Sequence, residues 1–170
     1  MIEIPIEALT QETFAPFGRA LSLPCAPAPK VGAGWRCWIP VDEIHVQAPM
    51  GFGIVETTAT DGLVPEMERH VTREEFLIAA NGDIVQAVCP PAALDDPSAL
   101  PDARQARAFL LRPGMAIIMA AGTWHYAALP VTDRAVYYYF AIESRPDPHG
   151  DAPNPWRRFQ GEEIVRIVRS

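Results

Sequence analysis

Turn-forming residues set the first limit on this chain. Eighteen prolines and eleven glycines are spread along its 170 residues and cut it into short pieces. Proline removes a backbone donor and glycine loses much entropy on ordering, so neither suits a long helix. The apolar runs between them are brief, as at residues 76–80, 84–89 and 116–119. Short apolar runs bounded by turn residues are the mark of an all-β chain. Roughly ten strands are expected, at residues 2–6, 19–23, 35–39, 52–58, 64–70, 75–80, 84–89, 107–111, 116–119, 125–129 and 135–142, with 164–168 a last strand or a short helix. One short helix is expected at residues 10–14, with Thr10 as N-cap and Glu12 in its first turn. Asn81-Gly82-Asp83 reads as a tight turn across which residues 84–89 pair back on 75–80. A closed or double-sheet β-barrel of jelly-roll type accommodates such a set.

One domain over residues 1–170 is the simplest division, since the chain is long enough for one core and too short for two. Three segments read as loops by composition: 24–34, 90–101 (PPAALDDPSALP) and 145–155. Lys and Arg total 14 against 21 Asp and Glu, a formal net charge of -7. That excess of acid argues against nucleic-acid or anionic-membrane partners, which need clustered cations. It leaves room for a small anionic substrate held by a few placed arginines. No apolar run approaches the roughly 20 residues of a membrane span. The start, Met1-Ile2-Glu3-Ile4-Pro5, lacks a cationic leader and apolar stretch, so a cytoplasmic location is expected. Cys25, Cys37 and Cys89 are odd in number and lack metal-type pair spacing, and read as reduced thiols.

Chemistry concentrates in two segments, Glu68-Arg69-His70-Val71-Thr72-Arg73-Glu74-Glu75 and Gly122-Thr123-Trp124-His125. Residues two apart share a face of a strand, so Glu66, Glu68 and His70 point one way and Met67 and Arg69 the other. A solvated face is the plainer account of that strand by itself. Glu75 opens an almost wholly apolar run, where a carboxylate must be solvated, paired or ligated. A hairpin between 64–70 and 75–80 would set Glu75 beside His70. His125 follows a small-residue turn and lies between Trp124 and Tyr126, where a histidine is more often structural. Two imidazoles and two carboxylates on a β scaffold form a ligand set for a divalent metal with open positions. The candidate ligands are His70, Glu75, His125 and Glu68, and the metal's identity is not set by them. Glu68, His70 and His125 are also the candidate catalytic residues. Arg36, in an aromatic strand, and Arg134, before Tyr137-Tyr138-Tyr139, are the candidate carboxylate binders.

The spacing of these residues resembles the cupin signature. His70, Glu75 and Gly82 stand at the spacing of its first motif. Gly114, Ala120 in place of a proline, Gly122 and His125 stand at that of its second. Glu68 occupies the place where the first motif usually carries another histidine. A narrower resemblance is to the ureidoglycolate lyase family. It rests on residues 7–18 (EALTQETFAPFG), Glu68-Arg69-His70, Arg107-Ala108-Phe109, Gly114 and Gly122-Thr123-Trp124-His125. The chain departs from that family at Glu75, where Gln is common, and in a long proline-rich segment after Pro90. The resemblance implies a cupin-type jelly-roll enzyme, usually a homodimer, that splits ureidoglycolate into glyoxylate and urea in the breakdown of allantoin.

The residues make that chemistry intelligible. A divalent ion chelated by an α-hydroxy acid would acidify the hydroxyl and stabilise developing charge. A base would take the hydroxyl proton while an acid protonates the leaving nitrogen. Glu68 is the candidate base if His70, Glu75 and His125 hold the metal; if Glu68 is a ligand, another group must serve. Two other readings share the pocket: a cupin that binds a small ligand without turnover, and a metal-dependent cupin enzyme acting on another small hydroxy acid.

Overall fold

A computed structural model describes residues 1–22, 30–144 and 155–169. Two curled sheets face each other across a shared core. The first runs β12 (Trp124–His125), β9 (Ile84–Cys89), β10 (Arg107–Leu111), β1 (Ile2–Ala8), β16 (Val165–Val168) and β6 (Leu63–Val64), with β13 (Leu129–Pro130) also paired to β9. The second runs β2 (Gly18–Ser22), β11 (Met115–Met119), β8 (Glu75–Ala79), β14 (Val136–Glu143) and β5 (Met50–Thr57). Two short ribbons join β3 (Lys30–Gly32) to β4 (Trp35–Cys37) and β15 (Arg157–Arg158) to β7 (Glu66–Met67). This is the all-β, double-sheet jelly roll expected from the punctuation. The segment at 164–168 is a strand, and β1 pairs parallel with both β10 and β16.

The one α-helix among the described residues, α1 (Gln11–Phe14), is capped as the sequence indicates. Thr10 Oγ1 accepts the Thr13 N–H at 3.0 Å, and the Thr13 hydroxyl answers the Thr10 N–H at 3.0 Å. The turn drops Phe14 and Phe17 into the core against Phe109, with ring centroids 5.3 and 5.6 Å from it. All three rings are essentially fully buried, and truncating one to Ala costs about 3–5 kcal/mol at such sites.

Alternation on β8 and β14 shows which face looks inward. Leu77, Ala79, Val136 and Tyr138 are buried between the sheets, together with Ile84 and Val88 of β9 and Ile117 and Met119 of β11. A second cluster, with Val85, Ala87, Cys89, Trp124 and Phe159, covers the outer face of β9. Every residue of β9 is therefore buried, which is why its sequence does not alternate.

Two expected pairings are not formed. β8 pairs with β11 and β14, whereas β9 pairs with β10, β12 and β13, so Asn81-Gly82-Asp83 carries the chain from one sheet to the other. Gly82 does not have a positive φ; a Cβ there would sit 2.5 Å from Val136 Cγ1, so close packing is what glycine serves. Residues 64–70 likewise form no hairpin with β8; β6 pairs with β16 and β7 with β15. Both pairings are long-range, and local turn chemistry does not encode them.

Candidate functional site

The site is assembled where Glu68-Arg69-His70 runs beside the turn before His125. Glu68 and His125 exchange both backbone hydrogen bonds at 2.9 Å, and the Gly122 N–H donates to the His70 carbonyl at 2.7 Å. This lacing, not a hairpin, fixes the two histidines relative to each other. Gly122 has φ +84°, and a Cβ there would lie 2.1 Å from Leu94 Cδ2, so both backbone and packing require glycine. Arg69 points away from the site, as the alternation indicates, and is buried. Its guanidinium stacks over Trp124 and donates to the carbonyls of Ala92, Ala93 and Asp96. The proline-rich excursion is thereby fastened behind the site.

On the inner face the four expected groups converge. The imidazole centroids of His70 and His125 are 5.5 Å apart. Glu75 Oε2 lies 3.3 Å from His70 Nε2 and 3.3 Å from His125 Nε2. Glu68 Oε1 lies 3.9 Å from His125 Nε2, and one ligand atom from each of Glu68, His70 and His125 falls within 4.8 Å of the others. The His125 ring is oriented from behind, its Nδ1–H donating to the Thr123 carbonyl at 3.1 Å. Its buried Nε2 has no hydrogen-bond partner, and neither has His70 Nδ1. In His125 a backbone carbonyl on Nδ1 leaves Nε2 facing the site, the arrangement metal-ligating histidines adopt. The donor set fits a divalent ion.

The electrostatics agree with that geometry. Burial by itself would raise the Glu75 carboxyl, but the adjacent imidazoles of His125 and His70 outweigh it and hold the pKa at about 2. Burial opposes a charged His125, yet Glu75, with a smaller contribution from Glu68, lifts its pKa to about 9. Without a metal, the pair is an imidazolium and a carboxylate in ion-pair contact.

These groups line a pocket of about 390 Å³ at one end of the barrel. Val55, Leu77, Phe140, Ile142 and Trp156 form its apolar wall, and Arg73, Gln86 and Tyr138 add polar groups. Neither Arg36 nor Arg134 is on that lining: Arg36 lies exposed on β4 and Arg134 exposed before β14. The arginine that lines the pocket is Arg73, which sequence reasoning passed over although it lies between His70 and Glu75 in the first motif. Gln86 and Tyr138 were passed over too. Both belong to strands that read as plain core, and only the barrel's curvature brings them to the pocket.

A family model described as ureidoglycolate lyase matches residues 1–154. The chain belongs to the ureidoglycolate lyase family. That is a family of lyases, and this chain carries its pattern over nearly its whole length. No curated protein matches the chain. Among solved structures, a mutant of Bacillus subtilis oxalate decarboxylase is similar at 14% identity and TM-score 0.41, covering 56% of this chain and 22% of that one. Lactobacillus farciminis oxalate decarboxylase is similar at 17% identity and TM-score 0.41, covering 70% and 27%. An oxalate oxidase is similar at 15% identity and TM-score 0.41, covering 58% and 43%. The chain thus spans less than half the length of each.

Proposed function

We propose that this protein is a divalent-metal-dependent lyase that splits ureidoglycolate into glyoxylate and urea. Family membership supports the reaction, and one observation carries its placement: Glu75 Oε2 sits 3.3 Å from an imidazole nitrogen of both His70 and His125 on a substrate-sized pocket. In this reading His70, His125 and Glu75 hold the ion. Glu68, more exposed than Glu75 and farther from His125, is left as the base. A divalent ion supplies Lewis acidity toward the hydroxyl of an α-hydroxy acid. Glu68 takes the hydroxyl proton, the C–N bond breaks as the glyoxylate carbonyl forms, and the Glu68 carboxylic acid returns the proton to the leaving urea nitrogen. Arg73 faces the substrate carboxylate, since a guanidinium fork matches two oxygens. The apolar wall keeps water from the reacting carbon.

The expected homodimer would bury the outer face of the second sheet. Phe52 is 81% exposed, and Ile54 and Tyr139, paired across β5 and β14, are also exposed. A cytoplasmic location is in keeping with the unpaired thiols of Cys37 and Cys89; Cys25 lies outside the described residues. Among the described residues, no helix is long and apolar enough to cross a membrane. The deciding experiment is metal analysis of the purified protein with an assay of urea release from ureidoglycolate. Stoichiometric metal and metal-dependent urea release are expected. A metal-replete protein that releases no urea would overturn the reading.

A further inference from the structure

Gln86 is 1% exposed, yet it is a polar side chain in the middle of a strand otherwise made of apolar residues. Its position on β9 places it on the same face as Ile84 and Val88, which pack in the core between the sheets. It lines the candidate pocket together with His125 and Tyr138. The amide's orientation is set by its donors. Nε2 donates to the Tyr126 carbonyl at 2.6 Å and to the Ala87 carbonyl at 3.1 Å. Both contacts accept hydrogen, so the atom facing them must be the nitrogen. Oε1 is then left buried with no hydrogen-bond partner. A buried acceptor without a donor is a cost the fold does not need to bear, because a methionine or leucine would fill the same volume. The cost is recovered if a ligand brings the missing N–H.

We infer that Gln86 Oε1 is the acceptor for a ureido N–H of the substrate, and so the group that selects a ureido acid over a plain keto or hydroxy acid. The inference rests on the lyase reading and adds to it a specificity-determining residue. The ionisable groups of the pocket are suited to the carboxylate and hydroxyl end of a substrate. They do not separate a ureido nitrogen from a methylene, whereas an amide oxygen held in place by two backbone carbonyls does. A site built to hydrogen-bond an N–H rejects the analogue lacking it, because the protein acceptor is then desolvated for nothing.

The test is direct binding by calorimetry of two ligands that cannot be split: hydantoate (ureidoacetate) and levulinate. They share carboxylate, carbonyl and chain length, and levulinate has carbon where hydantoate has both nitrogens. The wild-type protein should prefer hydantoate by about tenfold, the size of an unsatisfied buried acceptor. Gln86→Met should bring the two affinities together by weakening hydantoate and leaving levulinate unchanged. A merely structural role for Gln86 would weaken both equally. Equal affinities in the wild type would overturn the inference without any variant, and so would a preference that survives in Gln86→Met. Urea release from ureidoglycolate by the wild type, measured alongside, separates the two levels. Equal affinities with urea release intact sink only the role of Gln86. Failure to bind either ligand, with no urea release, sinks the lyase reading as well.

Discussion

Glu68 and Glu75 are chemically alike but differently placed, and that difference divides the proposed labour. Glu75 lies between two imidazoles and its side chain is 12% exposed, whereas that of Glu68 is 24% exposed and stands 3.9 Å from His125. Glu68→Gln keeps size and hydrogen bonding and removes basicity. Metal content should survive and urea release should fall by roughly 10²–10⁴-fold, the range of general-base catalysis. Metal analysis beside the assay checks this; loss of metal together with activity would make Glu68 a ligand instead. His70→Ala should empty the site of metal and abolish turnover, while the far-UV spectrum stays that of the wild type.

At the scale of elements, the site depends on a turn and a fastened loop. Gly122→Ala forces a left-handed backbone on a residue with a Cβ and drives that Cβ toward Leu94. The conformational part alone is about 1–2 kcal/mol. Because the Gly122 N–H holds the His70 carbonyl, metal affinity should fall together with the melting temperature. Arg69→Met tests the loop. It removes the donors to Ala92, Ala93 and Asp96 while keeping much of the buried volume. Limited proteolysis should then cut within residues 92–96 at protease levels the wild type resists.

For the whole molecule, the buried pair makes metal-free stability depend on pH with a definite sign. His125 is raised from 6.5 to about 9, so its contribution is full below pH 6.5 and is lost as pH rises through about 9. Glu75 is lowered from 4.5 to about 2, so its contribution is present above pH 4.5 and is lost as pH falls toward 2. Thermal stability in chelator should therefore be greatest between pH 4.5 and 6.5, and His125→Gln should flatten the alkaline side. A ligating imidazole must give up its proton, so metal binding at pH 7 should release one. Calorimetry in buffers of differing ionisation enthalpy would count it. If the proposed homodimer uses this face, Phe52→Lys with Ile54→Lys should yield a monomer in light scattering where the wild type is a dimer, with activity per site retained if the pocket is complete in one chain.

Much of this was legible in the residues themselves. The all-β class follows from proline and glycine, whose backbone limits act locally. The N-cap at Thr10 and the strands at β9 and β10 follow from equally local chemistry. The candidate ligands follow from spacing, because Glu68, His70 and Glu75 lie in one short segment and His125 closes another. Which strands pair was decided by the folded chain alone. The turn at Asn81-Gly82-Asp83 suits a hairpin as well as a crossover, and the long-range pairing of β9 with β10, β12 and β13 separates them. The contacts that complete the pocket were hidden for the same reason. Gln86 reaches the pocket from an apolar strand because two sheets curve around one core, and Arg73, rather than Arg36 or Arg134, reaches it from the bend between His70 and Glu75. Pairing and curvature are sums over many distant contacts, and no single stretch of sequence carries them.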